Sequence, residues 1–254
     1  AKDAKIVVKN GGKLIIDGGK ITNIDTGSEP CDGLWSGIEV WGNPDINHPA
    51  AINVLNGTYP SGFLSEHGVV VLKGGAVIEN AVDGISTQKR VSWVPYNDAD
   101  YYGGMIIAED AVFRNCIRAV EFMQFKKQSN SYFKDVTFET TKYPLDEGRL
   151  PKEFVTIWDV NGIAFTDCKF VNEEFDLYQV KDRGIGIVDH DGKIKVENKG
   201  NCIAYSQTSC VNWEPDDQNG FENLTTGILL KGLSYASSVS YTEFRNNLVG
   251  ISMS

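Results

Sequence analysis

A short phrase that recurs along this chain of 254 residues limits what the sequence can fold into. It reads AVIENAVDGI at 76–85, AVFRNCIRAV at 111–120, NGFENLTTGI at 219–228 and TEFRNNLVGI at 242–251. In each copy an apolar residue, a polar residue and Asn are followed, after three further positions, by Gly or Ala and a β-branched residue. Such recurrence indicates a repeat architecture, in which each copy forms one unit and neighbouring units stack.

A looser pattern, an apolar residue followed by any residue and then Asn or Asp, gathers seven copies. Their Asn and Asp residues are Asn23, Asn80, Asn115, Asp135, Asp167, Asn223 and Asn246. The two shortest separations are 20 residues, from Asn115 to Asp135, and 23 residues, from Asn223 to Asn246. These separations predict the bare repeat length, and the longer ones indicate inserted loops, which we place at 43–66, 88–103, 141–153 and 199–220.

Short β-rich runs precede most copies, for example KIVVKNGGKLII at 5–16 and GVVVLKGGAVI at 68–78. Short strands with Gly, Asn or Asp corners and a period near 20 residues predict an all-β fold, a right-handed parallel β-helix forming one domain over 1–254. Asn and Asp tolerate the left-handed backbone of a corner. We therefore expect the seven residues to align along one corner as a hydrogen-bonded ladder. The alternative fold is a β-sandwich, which does not require the same phrase to recur.

The charge of the chain limits its partners. A net charge of −10 argues against nucleic acid, because phosphate binding needs a positive surface. No run of about 18 apolar residues exists that could span a bilayer. Both ends of the chain carry repeat-like sequence, so we expect it to be part of a longer chain, whose remainder would be its neighbour.

Several of these segments resemble a known group of proteins. They are LWSGIEVWGN at 34–43, GAVIENAVDGI at 75–85, GGMIIAEDAVFRNCIRAVEFM at 103–123, SYFKDVTFETT at 131–141 and FVTIWDVNGIAFTDCKF at 154–170. Together they look like the β-helical segments of large surface proteins of Bacteroidota that use type IX secretion. The resemblance implies a right-handed parallel β-helix of the pectate-lyase-like superfamily and a location outside the cell or on its surface. It implies no activity, since fold alone does not fix function.

Two acidic stretches are candidates for chemistry. IVDHDGKI at 187–194 contains Asp189 and His190, and pectate lyases carry an Asp-His pair on a strand. Asp191 and Gly192 follow directly and signal a turn, so we interpret the pair as turn-flanking residues. EPDDQNG at 214–220 is interpreted as a solvated loop, with calcium binding by Asp216 and Asp217 as the alternative. The sequence therefore predicts no catalytic residue and no cofactor apart from that calcium.

The remaining candidates are aromatic residues and histidines. His48 and His67 are expected to be surface or loop residues that form no metal site. The loop at 88–103 either binds a sugar ring, whose C–H face matches a flat aromatic face, or covers the core. Its aromatic residues are Trp93, Tyr96, Tyr101 and Tyr102. Three tryptophans in strand-like runs are expected to be structural, and they are Trp35, Trp41 and Trp158.

The cysteines follow from the repeat. Cys116 and Cys168 each come directly after a ladder residue, with the Asp135 repeat between them. Two strand spacings separate them by about 9.6 Å, beyond the roughly 7 Å that a disulfide spans, so both are expected to be buried free thiols. Cys202 and Cys210 either bridge their own loop in an oxidising exterior or stay reduced.

The function expected from the sequence is that of a non-enzymatic surface β-helix. Its work would be structural or adhesive, and it would contact a polysaccharide or another surface protein, with the 88–103 loop touching glycans. The alternative is a polysaccharide lyase or glycoside hydrolase of the β-helix class, for which a groove lined by paired carboxylates would be needed.

Overall fold

The computed structural model describes residues 4–23, 33–58, 62–90, 99–206, 209–214, 219–232 and 236–254. Short strands dominate these ranges. The strands are β1 (Lys5–Val8), β2 (Lys13–Asp17), β3 (Lys20–Ile21), β4 (Trp35–Val40), β5 (Val69–Lys73), β6 (Ala76–Glu79), β7 (Ala81–Ser86), β8 (Met105–Arg114), β9 (Arg118–Phe122), β10 (Phe125–Gln128), β11 (Tyr132–Thr140), β12 (Glu153–Trp158), β13 (Val160–Thr166), β14 (Lys169–Asn172), β15 (Ile185–His190), β16 (Lys193–Glu197), β17 (Asn201–Ser206), β18 (Ser209–Glu214), β19 (Gly220–Glu222), β20 (Thr226–Lys231), β21 (Ser238–Ser240), β22 (Glu243–Arg245) and β23 (Val249–Met253). Two short helices are α1 (Ala51–Leu55) and α2 (Phe63–Glu66), and single 3₁₀ turns lie at Ala99–Tyr101, Asp146–Gly148 and Val180–Asp182.

The strands form two large sheets with parallel pairing. An eight-stranded sheet has the order β1-β4-β7-β9-β12-β15-β20-β23, and a 13-stranded sheet runs through β2-β5-β8-β11-β13-β16-β21 with further strands beside this path. β17 and β18 pair antiparallel and form a separate hairpin. The fold is therefore mostly β, as the sequence predicts, with parallel sheets.

The chain passes through these sheets in a repeated order. It leaves the eight-stranded sheet, crosses one row of the 13-stranded sheet, crosses a second row of the same sheet and returns beside its starting strand. β4, β5, β6 and β7 form one such pass, and β12, β13, β14 and β15 form another. β8 and β11 are long enough to cover both rows.

Six of the seven predicted ladder residues have left-handed backbone, with φ between 50° and 61°. They are Asn80, Asn115, Asp135, Asp167, Asn223 and Asn246, whereas Asn23 is absent from the positive-φ residues of the described chain. The Asn residues occupy the turn from the second row of the 13-stranded sheet back to the eight-stranded sheet, which we name the Asn corner. Ladder hydrogen bonds run from Asn80 to Asn23 and from Asn246 to Asn223, each 2.8 Å long.

The prediction of a single corner is wrong. β11 pairs with β8 so that Lys134 lies opposite Glu109, which places Asp135 opposite Asp110 rather than Asn115. The physical reason is that each pass has several turns, and the pattern of an apolar residue, any residue and Asn or Asp suits all of them.

Asp110, Asp135 and Asp167 therefore form a separate Asp corner between the two rows of the 13-stranded sheet. Burial there raises the pKa of the Asp135 carboxyl. The neighbouring carboxylates act in the same direction and Lys134 opposes them. Like charges on neighbouring strands, about 4.8 Å apart, make this corner less favourable than the amide ladder of the Asn corner.

The core contains a stack of parallel phenylalanine rings, one from each of five passes. They are Phe113, Phe138, Phe170, Phe221 and Phe244, with successive ring centroids 5.2, 4.5, 4.5 and 5.1 Å apart and interplanar angles of at most 7°. Such aromatic pairs add about 0.5–1.5 kcal/mol each beyond the area they bury. Their regular spacing shows that successive passes repeat with the same register.

The two central cysteines are buried and free, as predicted. The reason given from sequence was partly wrong, because Cys116 follows the Asn corner and Cys168 follows the Asp corner. Burial raises the pKa of each thiol to about 12, which disfavours the reactive thiolate. In the hairpin, Cys202 lies opposite Trp213 and Cys210 opposite Tyr205, and the predicted bridge stays a prediction.

The inserted segments carry some structure of their own. The 43–66 segment contains α1 and α2, and the 199–220 segment contains the β17–β18 hairpin. Val54 of α1 packs on outward residues of β5 and β8, among them Val71 and Ile107. In the described ranges, the helices are too short and too polar to cross a membrane.

Candidate functional site

The face of the eight-stranded sheet that points away from the core divides into two parts. We name the first the covered half, formed by β4, β7 and β9, over which residues 87–90 and 99–103 lie. We name the second the open half, formed by β12, β15 and β20. Its outward Thr156 and Val188 are buried, and the row is exposed at its end, at Trp158. In both parts the outward residues alternate with core residues such as Ile38, Val120 and Ile157.

The covered half holds a closed network of charges. Arg118 contacts Asp83 at 2.6 Å and Glu121 at 2.7 Å, and Arg90 contacts the same two carboxylates at 2.6 and 3.0 Å. Gln88 also donates to Glu121 at 2.6 Å. Burial lowers the pKa of Arg90, but the two carboxylates outweigh it and raise that pKa above its usual value. The two acids and the two bases therefore neutralise one another, and Asp83 and Arg118 also line a small pocket.

An aromatic and cationic cluster lies at one end of the covered half. Tyr101 packs edge-on against Trp41 with ring centroids 5.1 Å apart, and the Lys89 ammonium lies 3.8 Å from the Tyr101 ring centroid. Trp41 donates its indole hydrogen to Glu39, 3.3 Å away. Tyr101 is thus engaged in packing, as the alternative interpretation of the loop proposed.

His48 and His67 lie in loops, as one part of the expectation has it, but they are not surface residues, because both are buried. Their ring centroids lie 4.8 Å apart, and a nitrogen of each ring lies 2.8 or 2.7 Å from the carbonyl oxygen of Gly103. Burial lowers the pKa of His48 to about 3, helped by His67, and burial also lowers the pKa of His67. The pair fixes residue 103 and with it the neighbouring Tyr102.

Gly103 itself suits this contact. Its φ is +94°, a conformation that L side chains rarely adopt, and a Cβ there would lie 2.8 Å from the Phe125 ring. The segment that carries Tyr102 is therefore held in place by the two histidines and by the Phe125 ring.

The open half exposes a stacked pair of rings. Trp158 ends β12 and His190 ends β15, and the register places them side by side. Their ring centroids are 3.9 Å apart with an interplanar angle of 12°, and 38% of Trp158 is exposed. The expectation that Trp158 is a structural tryptophan stays a prediction, whereas Trp35 is buried as expected.

The turn that follows each of these strands supplies polar groups. Asp159 and Asp191 have φ of 49° and 59°, and we name this turn the pocket corner. Gln124 donates to the Asp159 carboxylate at 2.6 Å. A shallow pocket of about 280 Å³ lies here, lined by Tyr102, Met123, Gln124, Trp158, Asp159, His190 and Asp191.

His190 and Asp189 differ in what they can do. The Asp189 carboxylate is buried and accepts the backbone hydrogen of Gly192 at 3.0 Å, which supports its interpretation as a turn residue. His190 faces the pocket. Burial and the neighbouring Lys231 lower its pKa, so the imidazole is neutral at pH 7.

Of the remaining predicted site residues, the structure describes only some. Tyr102 lines the pocket, while Trp93 and Tyr96 lie outside the described residues, as do Asp216 and Asp217. Within the ranges that are described, no group of three or more His, Cys, Asp or Glu side chains is arranged to hold a metal ion.

The sequence contains a signal for the pocket. WDV at 158–160 and HDG at 190–192 both place an aromatic or imidazole ring directly before an Asp at the end of a strand. This second phrase, 32 residues apart, marks the pocket corner as the Asn phrase marks the Asn corner. Chemically, the site combines flat rings with carboxylate and amide oxygens, which is an arrangement suited to binding polyhydroxylated rings.

In comparisons with known proteins, no protein-family model, no curated protein and no solved structure matches the chain. The resemblance to Bacteroidota surface proteins therefore stays a prediction, and the function has to be argued from the site itself.

Proposed function

We propose that the chain is a right-handed parallel β-helix segment of a surface or secreted protein, with a structural and adhesive function and a glycan contact at the pocket corner. The repeated order of passes supports the β-helix, because each pass returns beside its starting strand with parallel pairing. Three turns per pass, at the Asn, Asp and pocket corners, are what a triangular coil requires.

The observation that carries the glycan contact is the exposed Trp158 stacked on His190 beside two carboxylates. The exposed part of the stacked pair offers a flat aromatic surface, and the face of a pyranose ring is flat and partly apolar. Asp159 and Asp191 can accept hydrogen bonds from the hydroxyls at the edge of such a ring.

A non-catalytic role is supported by the state of the charged groups. The acids of the covered half, Asp83 and Glu121, are largely buried, and each is paired with Arg90 and Arg118. The localisation outside the cell rests on the family resemblance and belongs to the same proposal.

One observation favours the second candidate, a glycoside hydrolase. Asp159 and Asp191 follow neighbouring strands, and strands lie about 4.8 Å apart. Retaining hydrolases place their two carboxyl groups about 5–5.5 Å apart. Turnover that disappears in Asp159→Asn and Asp191→Asn would favour this candidate over the adhesive one.

The test is incubation of the protein with a panel of polysaccharides, with and without calcium. Binding and the release of reducing or unsaturated ends are measured together. We expect binding without turnover, lost in Trp158→Ala and kept in the control Tyr241→Ala, whose side chain is exposed in the turn between β21 and β22. Binding that survives in Trp158→Ala, or release of sugar ends, would contradict the proposal.

A further inference from the structure

We propose that the pocket corner selects an uncharged hexose glycan and rejects uronic acid polymers. This inference rests on the proposed function and specifies its ligand.

The charges around the pocket point to this selectivity. Asp159 and Asp191 contribute two negative charges, and His190 is neutral at pH 7. Lys231 lies opposite His190 in the sheet and offsets one of these charges. The pocket therefore has a net negative charge on a chain that carries −10 in total. A uronate would bring a carboxylate on each ring into this field, and like charges disfavour association.

The hydrogen-bonding groups suit a neutral sugar. Carboxylate oxygens only accept hydrogen bonds, and sugar hydroxyls can donate to them. The Gln124 amide donates to Asp159 at 2.6 Å and so holds that carboxylate in a fixed orientation. A uronate keeps its ring hydroxyls but carries a carboxylate in place of the 6-hydroxyl, and that carboxylate has no hydrogen to donate to these acceptors.

The size of the pocket sets how much of a polymer it holds. A volume of about 280 Å³ lies just below the range of about 300–1,000 Å³ that is usual for sites of drug-sized ligands. It therefore accommodates roughly one sugar ring, and the rest of the polymer would extend over the surface. Selectivity at one ring is then a local property of Asp159, Asp191 and Trp158.

The experiment titrates the whole chain with hexasaccharides of glucose, mannose and galactose and with a galacturonate hexasaccharide, by calorimetry at low salt and pH 7. We expect at least one neutral hexasaccharide to bind at least about tenfold more tightly than the galacturonate. Added salt should reduce this difference in affinity, because it screens the repulsion between the galacturonate and the pocket. Asp159→Asn should also narrow it, by strengthening galacturonate binding several-fold, and Asn tolerates the φ of 49° at that turn.

Each outcome decides between the two claims. Galacturonate binding as tight as the tightest neutral binding would overturn the selectivity and leave the proposed glycan contact standing. If none of the four hexasaccharides binds, the proposed glycan contact itself is overturned. Neutral binding that is unchanged in Trp158→Ala, with Tyr241→Ala as the control, would overturn the pocket as the site. Loss of neutral binding in Trp158→Ala together with weak galacturonate binding supports both.

Discussion

The covered and open halves of the outer face are built on the same sheet but carry different side chains. In the covered half, four charged groups neutralise one another beneath the 87–90 and 99–103 segments, with Asp83 and Glu121 nearly inaccessible. In the open half, the outward row ends in Trp158 and His190, which face a pocket. The difference indicates that one parallel sheet can present paired charges beneath covering segments at one place and exposed rings beside a pocket at another.

The two halves are also expected to contribute differently to stability and to binding. Charges buried in a closed network contribute to a unique structure, and removing one partner leaves another buried charge uncompensated. An exposed ring contributes little to folding and much to recognition. Substitutions in the covered half should therefore change the free energy of unfolding, and substitutions in the open half should change affinity.

The largest effect is expected in the covered half. Arg118→Ala leaves Asp83 and Glu121 short of one counter-charge, and we expect it to lower the free energy of unfolding by about 3 kcal/mol. The matched control is Arg245→Ala, which breaks pairs that are far more exposed and should cost under about 1 kcal/mol. Urea denaturation measures both, and equal losses would contradict the distinction between the halves.

The turn that leads into the covered half should come next. Asn115 lies just before β9, its φ is 53°, and its side-chain oxygen accepts the backbone hydrogen of Thr141 at 2.8 Å. Asn115→Leu should lower the free energy of unfolding by about 1–3 kcal/mol, because Leu disfavours this φ and leaves the Thr141 donor without its partner. Asn115→Gly keeps the φ accessible and should cost less. An unchanged melting temperature in Asn115→Leu would refute the role of the Asn corner.

Acid should weaken the packing of His48 and His67 around Gly103. The pKa of His48 is about 3 in the folded chain against 6.5 for an unperturbed His, so below pH 6.5 the unfolded chain binds a proton that the folded chain excludes. Stability should therefore fall as the pH drops, by about 2 kcal/mol at pH 5. His67 acts in the same direction. In His48→Gln the change in the free energy of unfolding between pH 7 and pH 5 should shrink, and an unchanged difference would contradict the burial of His48 as its cause.

The smallest effect on stability is expected in the open half. Trp158→Ala removes a side chain that is 38% exposed, and we expect a loss of under about 1 kcal/mol, together with at least a tenfold loss of glycan affinity. Thermal unfolding and calorimetry check the two expectations separately. A large loss of stability would place Trp158 with the structural residues after all.

The parts of the fold that were predictable from sequence are those that depend on local backbone. Asn80 and Asn115 were found because a left-handed turn requires a tolerant residue at that position, whatever surrounds it. The division into separate corners was not predictable, because it depends on which strands pair. Asp135 fits the same local pattern as Asn115, and only the register with β8 separates them.

The functional residues were harder to find because they depend on long-range geometry. His48 and His67 meet only because both reach the carbonyl of Gly103, which lies in another segment. For Trp158, strand alternation indicates that the side chain points outward, but it does not reveal whether another segment lies over it. The WDV and HDG phrases mark the pocket corner in the sequence, but they do not show which half another segment covers.

The most direct test of the account is to map where a neutral hexasaccharide binds, by NMR chemical-shift changes of side-chain and backbone groups. Two assigned regions are compared, Trp158 to Asp159 and His190 to Asp191 in the open half, and Arg118 to Glu121 in the covered half. We predict chemical-shift changes in the open-half region and none in the covered-half region. Changes centred on Arg118 and Glu121, or changes in neither region, would contradict the assignment of binding to the open half.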